Sequence, residues 1–83
     1  MLNLHTDTKL TPKEVVESAV AFFGPEGIGL EVKERGENSA YFEGGGGGVE
    51  VVASVEGSGS AVDLETREWE YQTKDFARRI KTA

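Results

Sequence analysis

The sequence predicts an α+β chain: a two-layer sandwich in the order α-β-β-β-β-α, with a four-stranded antiparallel meander carrying both helices on one face. Three observations lead there. A capped amphipathic run covers residues 12–23, four alternating runs separated by turn residues occupy residues 28–68, and a second amphipathic run closes the chain. At 83 residues the chain fits one core, so residues 11–83 are assigned to a single α+β domain and residues 1–10 are read as a mostly flexible N-terminal segment. Leu2 and Leu4 alternate there with Asn3 and His5, enough for a short edge strand at most.

The first helix is set by local chemistry. Thr11 can accept from first-turn backbone N–H groups, Pro12 occupies the first helical position where no N–H is needed, and Glu14 completes a T-x-x-E capping box. Val15, Val16, Ala19, Val20 and Phe23 then form one stripe, and Gly24-Pro25 reads as a left-handed cap followed by a stop. In the next run Ile28, Leu30 and Val32 point to one face, and Gly29, Glu31, Lys33 and Arg35 to the other. "SAYFE" places Ala40 and Phe42 inward. Val49, Val51, Ala53 and Val55 continue that face in the third strand, and Val62 and Leu64 in the fourth. In the tail, Phe76, Ala77 and Ile80 share a helical stripe, with Thr73 as the expected cap and Arg78, Arg79 and Lys81 near the C-terminal carbonyls.

Gly44–Gly48 are five glycines in succession. A phosphate cradle runs from a strand through glycines into a helix N-terminus, often with a lysine; these glycines lead into a strand and lie between Glu43 and Glu50. The segment is therefore read as a hairpin loop, partly mobile, that tolerates shortening.

Composition narrows function. A formal charge of −6 repels nucleic-acid phosphates and anionic lipid, so neither nucleic acid nor membrane is expected as a partner. Without cysteine there is no thiolate nucleophile or Cys-based metal site. No apolar run nears the roughly 18 residues of a membrane span and the N-terminus has no signal-peptide pattern, which gives a cytoplasmic expectation. His5 is the only histidine and lies outside the patterned region, so no Ser-His-Asp relay, catalytic residue, cofactor or metal site is assigned, and the chain leans away from being an enzyme.

Outward positions carry Glu31, Glu43, Glu50, Glu56, Asp63 and Glu65. Strand parity adds Tyr41, Val52, Arg67, Trp69 and Tyr71 to that face, unless the turn at Glu68–Glu70 rotates Trp69 into the core beside Phe76. The expected function is a non-enzymatic interaction or regulatory domain. Its acidic-aromatic sheet face, around Tyr41, Val52, Arg67 and Trp69, would serve a weak homodimer or an unidentified protein partner. The alternative is a small-molecule-binding domain with a pocket between sheet and helices near the glycine loop.

Overall fold

The structure, a computed structural model, describes residues 1–83. Its elements are β1 (Leu2–Thr8), α1 (Pro12–Phe23), β2 (Glu31–Arg35), β3 (Ser39–Gly44), β4 (Gly47–Glu56), β5 (Gly59–Arg67) and α2 (Glu70–Lys81). The strands make one antiparallel sheet in the order β1-β5-β4-β3-β2. β2 to β5 are the expected meander. The sheet has five strands, because Leu2–Thr8, expected to be mostly flexible, pair with β5 from Leu2 opposite Thr66 to Thr8 opposite Ser60. The inward positions Thr6 and Thr8 are polar, which hides the strand from a hydrophobic count, yet β-branched threonine suits a strand. The segment is tied down by polar contacts: Thr8 Oγ1 donates to the Ile80 carbonyl at 2.5 Å, and Ser60 Oγ to the Leu10 carbonyl at 2.7 Å.

Helix α1 has the expected bounds, and both halves of its capping box form: Glu14 N–H donates to Thr11 Oγ1 at 3.2 Å, and Thr11 N–H to Glu14 Oε1 at 2.9 Å. Gly24 is not left-handed. Its φ of −72° and ψ of −170° are extended, as the following Pro25 demands, and its N–H still reaches the Val20 carbonyl at 2.9 Å. Helix α2 begins earlier than its composition suggests, with Trp69 at the N-cap and Thr73 already inside and fully buried. The cause is Glu68, whose φ of 74° ends β5 and turns the chain.

One face of the sheet is covered by both helices, α1 over β3 and β4, α2 over β1 and β5. Phe23 sits centrally between them, with ring centroids 5.4 Å from Phe42 and 5.1 Å from Phe76. Val49, Val51, Ala53, Val62 and Leu64 complete the layer as expected, whereas Val55, also expected inward, is largely exposed near the end of β4. Each fully buried large side chain contributes roughly 1.5–3 kcal/mol, so this layer is the main source of stability. β2 differs in two respects: it begins at Glu31, leaving Ile28, expected inward, outside the strand and exposed, and a bulge between Val32 and Glu34 shifts the register, setting Glu34 opposite Tyr41 and Arg35 opposite Ala40. An extra residue reverses parity. Arg35 therefore lies on the helix side, contrary to the simple alternation, while Glu34 joins the open face.

A candidate protein-interaction face

The sheet face away from the helices is built in rows that the strand register fixes. Arg67, Gly48, Glu43 and Glu31 form one row, then Asn3, Glu65, Glu50, Tyr41 and Glu34, then His5, Asp63, Val52 and Ser39, then Asp7, Ala61 and Ser54. Seven carboxylates share these rows. The bulged Lys33 joins Arg67 as the basic complement, so these rows have a formal charge of −5 with His5 neutral, against −6 for the whole chain, and Glu56, opposite Gly59 in the row beyond them, adds one more acid. Glu50 stands directly opposite Glu65, and neither these two nor Glu34 has an ion-pair partner. Like charges opposed across a ladder repel, and an arriving cation relieves them.

Tyr41 organises one side of the face. A Cβ at Gly48 would lie 2.7 Å from Tyr41 Oη and 3.2 Å from its Cε1, so the ring lies across the glycine and any side chain there would displace it. Tyr41 Oη donates to Glu43 Oε2 at 2.9 Å. That bond holds the phenol neutral and raises its pKa, helped by desolvation and opposed by Arg67. Lys33 Nζ lies 2.9 Å from Glu31 and 4.0 Å from Glu43, and its pKa is raised, first by the bond to Glu31. On the opposite side His5 Nδ1 donates to Asp63 Oδ1 at 2.9 Å, and Nε2 lies 3.5 Å from Asp7 Oδ1. The Asp63 bond leads in raising the imidazole pKa.

Of the four residues expected to form the interaction patch, three are on this face, and Tyr71, also expected outward by parity, lies in α2 instead. Tyr41 is half-buried, Arg67 is exposed, and Val52 is 39% exposed in the middle of the charged rows. Trp69 is elsewhere. The left-handed Glu68 interrupts the alternation, so the indole packs against the core cluster and its N–H donates to the Gly44 carbonyl at 2.9 Å. His5, Asp7 and Glu34 are the face residues that sequence reasoning missed. The alternation of Leu2-Asn3-Leu4-His5-Thr6-Asp7-Thr8, with threonine counted as a strand former, is the signal that finds the first two. The bulge that exposes Glu34 leaves none.

The glycine segment is a tight corner. Only Gly45 and Gly46 lie between the strands, with φ of 59° and 84°, the backbone of a two-residue hairpin turn that non-glycine residues resist. Gly47 meets the β5 terminus so closely that a Cβ there would lie 2.1 Å from the Arg67 carbonyl oxygen. Under this corner Leu30 and Trp69 occupy the space where the alternative reading expected a pocket: a Cβ at Gly44 would lie 2.7 Å from Leu30 Cδ2, and one at Gly45 2.7 Å from Trp69 Cζ2. The largest groove, about 780 Å³, is at the opposite end, between the first turn of α1 and the β2–β3 turn. Apart from Pro12, Val16 and Val55 its lining is polar, with Lys13, Glu17, Arg35 and Glu37 of mixed sign. A site for an apolar ligand needs more apolar wall than this.

No helix is long and apolar enough to cross a membrane. No protein-family model matches the chain. No curated protein matches it either. Among solved structures it is similar to the solution structure of the Aha1 dimer from Colwellia psychrerythraea, with a TM-score of 0.64 over 96% of this chain and 95% of that one. Identity is 10%, so the likeness is one of fold: two helices against an antiparallel sheet.

Proposed function

We propose that this chain is a non-enzymatic interaction domain whose open sheet face binds a basic protein segment. The observation that carries the reading is the opposed pair Glu50 and Glu65, without cationic partners, in a face that holds nearly all of the protein's net charge. Lysine or arginine side chains of a partner would sit between these carboxylates, while Val52 and the Tyr41 ring give its apolar stems something to cover. Trp69 is not part of this surface. The test is affinity for a lysine-rich peptide across a salt series. Binding that weakens with salt and is lost in Glu50→Lys/Glu65→Lys supports the reading; binding indifferent to both changes contradicts it.

Self-association is a second reading, favoured by the dimeric state of the similar Aha1 structure. It does not stack the acidic faces of two copies. Two such surfaces brought face to face would oppose −5 with −5, so a homodimer needs another geometry.

A further inference from the structure

The two edges of the sheet are built differently. β2 is five residues long, carries Glu31, Lys33, Glu34 and Arg35, and is bulged, all of which discourage another strand from adding to it. β1 is longer and unbulged, and Asp7 is its only formal charge with His5 neutral. Its seven residues hold an unbroken register with β5, contain no lysine, proline or glycine, and make no backbone hydrogen bond outside the β1–β5 ladder. The backbone donors and acceptors along its outer edge are therefore available to a further strand.

We propose that two copies of this chain associate edge to edge, β1 against the partner's β1 in antiparallel register with Thr6 on the two-fold axis, so that each His5 faces the partner's Asp7. The occupant and register follow from symmetry and charge. An antiparallel pair related by a two-fold axis keeps each side chain on its own face of the sheet, so the axis passes through a residue of β1. With His5 on the axis, two imidazoles collide in charge; with Leu4 there, His5 meets only Asn3. Thr6 on the axis gives two reciprocal His5–Asp7 pairs. It also places both imidazoles among four carboxylates, so that each His5 gains the partner's Asp7 beside its own Asp63 and Asp7. The axis is perpendicular to the sheet, so the two acidic faces lie on the same side of one continuous ten-stranded sheet.

Only Leu4–Thr8 of each copy pair in this register, so the contact is small and the dimer weak. The groups facing His5 are Asp63 and Glu65 from β5, Glu50 from β4 and Asp7 from its own strand, with α2 on the opposite face. All are acidic. The dimer therefore tightens as His5 protonates and loosens as pH rises.

This inference rests on the self-association reading and is independent of binding to a basic segment. Its test is sedimentation of the full chain from about 10 μM to about 1 mM, with Asp7→Lys and the swap His5→Asp/Asp7→Lys. The expected result is a reversible dimer, weakened about tenfold or more by Asp7→Lys and restored to within about threefold by the swap. Amide exchange should show concentration-dependent protection confined to Leu4–Thr8. A monomer throughout would end both the edge and the self-association reading. A dimer indifferent to Asp7→Lys, or one without protection in β1, would leave self-association standing and overturn the edge.

Discussion

The indole N–H of Trp69 donates to the carbonyl of Gly44 at 2.9 Å, joining the N-cap of α2 to the β3–β4 hairpin. One side chain thus closes the corner where the glycine turn, the end of β5 and the second helix meet. Trp69→Phe keeps the ring but removes the donor, and should cost about 1 kcal/mol in denaturant unfolding. Trp69→Ala also removes the packing and should cost about 2–4 kcal/mol. Equal effects of the two would place the value of Trp69 in its hydrogen bond alone.

The same corner reverses the expectation that the glycine segment can be shortened freely. Gly47→Ala drives a methyl group into the Arg67 carbonyl and should cost roughly 2 kcal/mol or more. Gly46→Asn meets open space, and asparagine tolerates positive φ, so it should cost well under about 1 kcal/mol. Thermal melts of the two variants settle the order; a milder Gly47→Ala would mean that β5 can move aside.

Register gives a sharper contrast on adjacent residues of β4. Val51 is wholly buried, and Val51→Asp should cost about 3–5 kcal/mol by placing an unpaired charge in the core. Glu50→Gln relieves the repulsion from Glu65 and should stabilise by up to about 0.5 kcal/mol. A destabilising Glu50→Gln would show that Glu50 has a compensating contact.

Two surface groups shape the pH profile. Asp63 raises the pKa of His5, so the stability His5 contributes is fully present below about 6.5 and fades as pH climbs through its raised folded-state value. Arg78 first, and then Arg79, lower the pKa of Asp75, whose contribution is present above the ordinary aspartate value and lost as pH falls through the depressed one. Melting temperature should therefore be highest from about pH 4 to about pH 6.5, with small slopes on both sides because His5 and the arginines that pair with Asp75 are exposed. His5→Gln should flatten the high-pH side alone.

The elements legible in the sequence were those specified locally. Thr11, Pro12 and Glu14 determine where α1 starts, and the alternation around Phe42 and Val51 identifies the buried face without any knowledge of partners. What escaped depends on contacts between distant segments or on a single backbone angle. β1 is held by Ser60 and Ile80 through threonine and serine hydroxyls, which a count of apolar residues cannot register. One bulged residue exchanges Glu34 and Arg35 between faces, and one left-handed residue, Glu68, removes Trp69 from the face its parity predicts. Tyr41, Val52, Arg67 and most of the acids were readable because their strands keep strict alternation. His5 and Asp7 were not, since their place on the face exists only once β1 has paired.

The open acidic face is tested most directly by mapping backbone amide chemical shifts while a lysine-rich peptide is added to the labelled protein. Shifts concentrated on Tyr41, Glu50, Val52, Asp63 and Glu65, saturating with peptide and suppressed by salt, are the expected result. Shifts concentrated on α1 and α2, or the absence of any that saturate, would contradict it.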